Sequence, residues 1–170
     1  AVALCLVFAK DTLILFICAA VSCIIHGLRM RCYHTLKTFD DPLVWILHAG
    51  YGWLVMGLGL LSLTGVGLLT IPAVIHSLTA GCIGSMIVGM ICRVTLGHTG
   101  RELKVGKLTS LSFSTIQIAA LMRVFGPMSM PDHISEWIIG SAILWALCYA
   151  AYLWNYGNML FAARPDGQVA

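Results

Sequence analysis

The sequence predicts an all-α fold: a polytopic transmembrane helical bundle with about five spanning helices. Three observations point there. The chain of 170 residues is 59% hydrophobic and only 10% charged, with a mean hydropathy of +0.92, whereas a soluble domain carries roughly 25% charged residues. No charged residue occurs from Pro42 through Cys92, a stretch too long for one crossing of ~20 residues. The apolar runs are interrupted by short clusters of charge, Gly and Pro, the usual punctuation between helices. The net charge of +3 in so apolar a chain points to basic loops on one side of a bilayer and not to nucleic acid. The sequence starts at Ala1 in an apolar run without an initiator Met. It is therefore read as one transmembrane domain over 1–170, a fragment whose N-terminal helices are partners outside it.

The first span is expected over residues 12–28, ending where Arg29 and Arg31 open a polar loop. Ala1 to Ala9 reads as the tail of a preceding span or as an extension of the first. Asp40-Asp41-Pro42 starts the second span, because carboxylates and a first-turn Pro both favour a helix N-terminus. It runs over 43–64 and turns at Gly65, Gly67 and Pro72. The third span is expected over 72–96, with Gly97 as the glycine just past its end. The fourth occupies 108–125, closed by Gly126-Pro127, and the fifth occupies 135–161, before the polar tail Arg164-Pro165-Asp166-Gly167.

Basic residues set the orientation. Arg29, Arg31 and Lys37 fall in the first loop, Arg93, Arg101, Lys104 and Lys107 around the third, and Arg164 in the tail. Only Lys10 and Arg123 lie on the other side. The positive-inside rule then puts the first and third loops and the C-terminus in the cytoplasm.

Small residues recur every four positions in the third span (Ala73, Ser77, Gly81, Ser85, Gly89), and Gly50, Gly52, Gly57 and Gly59 mark the second. Such stripes let helices approach closely in a lipid environment. Ser110, Ser114 and Gln117 are expected to form the inward polar face of the fourth span. The five tryptophans partly fit interfacial belts. The seven cysteines show no C-x-x-C pair and read as small buried hydrophobes.

The histidines are the most informative residues, since imidazole is costly in hydrocarbon unless paired and is a natural ligand for haem iron and copper. His48 lies inside the second span, with Tyr51 and Gly52 on its face at i+3 and i+4. Gly52 would leave room for a flat ligand, and the Tyr51 hydroxyl could support the imidazole. His76 lies one turn into the third span, pointing away from the small-residue stripe, so that one flank can pack a helix while another presents the imidazole to a cavity. His98 sits in a two-glycine turn bracketed by Arg93 and Arg101, a combination suited to an anion such as a haem propionate. Each also has a bland reading, as a carbonyl-bonded packing histidine or a helix cap. His26, near the cytoplasmic end of the first span, could join His48 and His98, but it and His34 are expected to be solvated by the first loop. Met128, Met130 and His133 are soft ligands of the kind that suit Cu(I), in a loop short enough to arise by chance. Since His48 and His76 each lie near the start of antiparallel helices, roughly 15–25 Å should separate them along the bilayer normal at 1.5 Å per residue. One metal ion cannot use both.

Three segments carry a family resemblance. They are Trp45-x-x-His48-x-Gly50-Tyr51-x-Trp53, His76-Ser-Leu-Thr79-Ala-Gly81-x-x-Gly84, and Arg93-Val-Thr-Leu-Gly97-His98-Thr99-Gly100-Arg101. Together with Asp41-Pro42 and Arg123 they resemble the C-terminal part of the NnrS family. The resemblance implies a polytopic inner-membrane protein that contains haem and copper and serves the response to nitric oxide and nitrosative stress. It also implies roles for His48, His76 and His98 as ligands, with nitric oxide as a diatomic partner. It does not say which histidine takes which metal. No nucleophile–base arrangement identifies an enzyme. The alternative reading is a transporter or channel using intramembrane histidines for protons or substrate.

Overall fold

A computed structural model describes residues 13–165 and 167. The Ala1–Ala9 segment, Lys10 and Cys5 lie outside the described residues. Five helices long and apolar enough to span a bilayer follow one another: α1 (Leu13–Cys32), α2 (Pro42–Thr64), α3 (Ile71–His98), α4 (Lys107–Ser129) and α5 (Ile134–Phe161). Short 3₁₀ turns, Thr35–Asp40 and Pro131–His133, join α1 to α2 and α4 to α5.

The helix ends follow from local chemistry. Asp41 caps α2 by accepting the Leu43 N–H at 3.0 Å, and Pro42 occupies the first turn, where its missing N–H costs nothing. α1 runs four residues past its expected end at Leu28. Arg29 and Arg31 stand in its last turn, where cations complement the helix dipole, and the Arg29 Nε donates to the Tyr33 hydroxyl at 2.5 Å. α3 ends later than expected, because the terminating glycine is Gly100 (φ +67°) and not Gly97, which is helical. Arg101 N donates to Leu96 O at 2.9 Å and Gly100 N to Gly97 O at 3.2 Å, the paired bonds of a Schellman ending. α4 passes through Gly126-Pro127 to Ser129. Pro127 lies so near the helix end that it removes only the amide due to the carbonyl of Arg123.

Glycine contacts fix the packing register. Side chains added at Gly89, Gly50 and Gly57 would meet Ile46 (2.7 Å), Ser85 (3.3 Å) and Leu78 (2.6 Å), while Gly81 lies directly against the Trp53 ring. The α3 stripe is therefore the seat of α2, as expected. The α2 glycines divide by face: Gly52 and Gly59 instead meet Met30 and Cys23 of α1, each at 3.5 Å.

Two apolar core layers result. One gathers Leu15, Leu61, Val74 and Val124; the other gathers Ile46, Val88, Phe113, Ile116 and Tyr156. Between them the Trp53 Nε1 donates to Gln117 Oε1 at 2.8 Å, and Gln117 Nε2 donates to Ser85 Oγ at 2.8 Å. This ties α2, α3 and α4 together at mid-depth. Trp53 is thus a core residue and not part of an interfacial belt. Of the expected polar face of α4, only Gln117 turns inward to another helix. The Ser110 and Ser114 hydroxyls donate to carbonyls four residues back, and Thr109 takes the inward role, joining Tyr156 and Asn155 of α5. The cysteines described are all free thiols, with Cys92 and Cys148 buried and Cys32 exposed. Isoleucines and leucines such as Ile14, Ile24, Leu111 and Leu147 cover the outer faces of the helices, the surface a bilayer requires.

Candidate functional site

The candidate residues fall into separate groups. The first lies between α1 and α2. Ile46 and Gly50 face α3, and His48, two residues from each, is turned by about 200° at 100° per residue toward α1. Its Nδ1 lies 3.1 Å from the carbonyl oxygen of Val44. A carbonyl can only accept, so a proton sits on Nδ1, and the tautomer this selects has its lone pair on Nε2. That Nε2 is buried and has no hydrogen-bond partner among the described residues. The Tyr33 ring stands edge-on to the imidazole, with centroids 6.2 Å apart.

Tyr51 does not serve His48 as expected. Its hydroxyl meets His26 Nδ1 at 2.7 Å, and its ring approaches Tyr33 at 6.3 Å. His26 is accordingly half-buried and bonded across the α1–α2 seam, contrary to the expectation of loop solvation. Gly52 does not open a slot beside His48, because the Met30 methyl packs against it. The result is a cluster of His26, Tyr33, His48 and Tyr51 in which one imidazole nitrogen of His48 remains unused.

The second group lies on the far side of α3. His76 lines a cavity of about 670 Å³ between α3, α4 and α5, together with Arg123, Thr79, Ser141 and Trp145. The segment Ser77–Ile83 directly after His76 is π-helical. This local rewinding lets Gly81 seat Trp53 while Thr79, Ala80 and Ile83 face the cavity. π-Helical turns of this sort recur at functional sites. A cavity on the flank of His76 away from the small-residue stripe was expected and is present, but no sequence signal announced the π segment or the place of Arg123 in the cavity.

The third group, at the end of α3, is open. His98 is exposed, and its carbonyl accepts from the Arg164 Nη1 at 3.1 Å. Arg101 donates to the Thr99 carbonyl at 3.3 Å. Arg93 is half-buried and continues the α3 stripe one turn beyond Gly89. His34 is exposed in the left-handed region (φ +50°) where α1 ends, and His133 is exposed beside Glu136 at 3.5 Å.

The register places His48 level with Ile87, about eleven residues from His76, or about 16 Å along α3 at 1.5 Å per residue. The two imidazoles also face opposite sides of the α2–α3 pair. Among the described residues no three His, Cys, Asp or Glu side chains gather into a metal-binding group. Comparison with curated proteins and with solved structures returns no match. The model of one family, described as NnrS protein, matches residues 1–164, nearly the whole length, including His48, His76, His98, Arg93, Arg101 and Arg123. The chain belongs to the NnrS family.

Proposed function

We propose that this membrane protein holds haem and copper and acts in the response to nitric oxide, with His48 as a metal ligand. One observation carries the assignment: the buried, unpartnered Nε2 of an imidazole whose other nitrogen is tied to the Val44 carbonyl. A buried acceptor left unmade costs about 1–3 kcal/mol. A fixed tautomer with a free lone pair is the form in which histidine binds a metal. Haem iron or a copper ion at that nitrogen supplies a centre where a diatomic ligand binds or exchanges an electron. The chain's own part is to hold the ring through the Val44 carbonyl and to leave the Nε2 lone pair without a protein partner. His76 and His98, whose rings have no hydrogen-bond partner among the described residues, stand near opposite ends of α3, about 33 Å apart at 1.5 Å per residue, and are proposed as ligands at separate places. Arg93 and Arg101 are proposed as anion contacts near His98, the open arrangement there favouring a peripheral role.

The proposed setting is the bacterial inner membrane, with the C-terminus in the cytoplasm. The hydrogen bond from Arg164 to His98 supports this orientation, since it brings the basic tail to the basic end of α3. Optical spectra and metal analysis of the full-length protein test the reading. Wild type should carry haem and copper, and His48→Ala should lose one of them while the helices remain folded. A wild type that stays free of both after metal supplementation during growth overturns it. Should a metal-free protein catalyse flux in proteoliposomes that His76→Ala abolishes, transport takes its place.

A further inference from the structure

The cavity beside His76 has a chemistry of its own. It runs along α3 from His76 to Ile87, about 16 Å at 1.5 Å per residue. Its walls include Ile83, Ile87 and Ile138, which are exposed on the outer face of the bundle, so the cavity is a groove open sideways toward lipid. Arg123 stands at one end. It has no carboxylate or other hydrogen-bond partner among the described residues, and no acidic side chain lines the groove. Thr79 and Ser141 have already given their hydroxyl protons to the carbonyls of Ile75 and Ile138.

Arg123 lies six residues before the end of α4, and its Cα–Cβ bond tilts toward the helix N-terminus, hence toward the middle of the span. An unpaired guanidinium so placed is costly in hydrocarbon, and it matches an oxyanion by charge and by fork geometry. A cationic end joined to a long apolar channel is the complement of an amphiphile.

We propose that this groove binds a membrane phospholipid, its phosphate held by Arg123 and one acyl chain lying along Ile83, Ile87 and Ile138. The inference stands on the groove and on Arg123, independently of His48 and its metal; His76 also lines the groove but is given no part in holding the lipid. The test uses full-length protein purified in mild detergent and washed, with retained phospholipid read as phosphorus per protein and by native mass spectrometry. Arg123→Gln removes the charge, and Ile87→Trp fills the channel without touching it. Both should lose retained phospholipid at least about fivefold, whereas Lys107→Gln, an exposed cation elsewhere, should match wild type. Retention in either groove variant, with the protein monodisperse, overturns the proposal. Loss of haem in Arg123→Gln with phosphorus unchanged also overturns it, since the oxyanion is then a porphyrin carboxylate. A wild type without haem or copper but with Arg123-dependent lipid leaves this inference intact while the functional reading fails.

Discussion

The carbonyl of Val44 decides what His48 can do. Without that bond the imidazole would sample both tautomers and could turn either nitrogen to Tyr33; with it, the lone pair has one direction. The same logic of matching each buried donor to an acceptor governs Gln117. Its amide spans Trp53 and Ser85, so Gln117→Leu strands the indole N–H and the Ser85 hydroxyl at mid-depth. Hydrogen bonds between transmembrane helices are worth about 0.6–1.7 kcal/mol. The variant is expected to lose about 1–3 kcal/mol in a denaturation assay, and a Trp53→Phe background should recover part of that loss because no indole N–H remains to be stranded. A full-sized loss in that background would show that the network does not act through Trp53. At this scale the sequence was legible where the partner lies on the same helix. The intrahelical bond of His48 was one of its two readings. The Tyr51–His26 bond was not visible, because it depends on the register of α1 against α2, which no local pattern encodes.

Helix ends and seams belong to the next scale. The sequence placed all five helices, since hydrophobic length and breakers are strong signals, but it misplaced ends where two breakers compete. Gly97 and Gly100 are three residues apart, and the left-handed φ selects Gly100. Replacing each with Ala separates their roles. Gly97→Ala should be neutral or stabilising by up to about 1 kcal/mol, the helix propensity difference, because nothing lies within 4 Å of an added Cβ. Gly100→Ala should cost about 1–2 kcal/mol for a forced left-handed conformation. Equal effects in thermal unfolding would contradict the Schellman ending. At the α2–α3 seam, Gly81→Val drives a branched side chain into the Trp53 ring, and overpacking of this kind costs about 1–3 kcal/mol. The Trp53 emission should shift along with the loss of stability, and an unchanged spectrum would place the ring elsewhere. The small-residue stripe made this seam readable in advance. The π turn beside it was not, because nothing in the local pattern of Ser77–Ile83 distinguishes it from an ordinary α-helical turn.

At the scale of the whole molecule, the bundle keeps two candidate chemistries apart. His48 faces the α1–α2 seam beside Tyr33; His76 faces the α3–α4–α5 groove about 16 Å away along the axis. The expectation of separate depths came from antiparallel connectivity alone and holds in the packed bundle. The separation by face had to await the register. Between the two sites stand the α2–α3 contact and the Trp53–Gln117–Ser85 network, and neither imidazole belongs to it. Residues more than about 7–10 Å apart with no shared partner have additive energetic effects within about 0.3–0.5 kcal/mol. The stability changes of His48→Ala and His76→Ala should therefore add in the double variant, and their spectroscopic effects should fall on different centres. A coupling beyond about 1 kcal/mol, or the loss of one and the same absorption band in both single variants, would mean that a cofactor spans the seam. The register of α2 on α3 drawn from Gly50, Gly57, Gly81 and Gly89 would then be wrong, because tight contact along that whole line leaves no passage from one imidazole to the other.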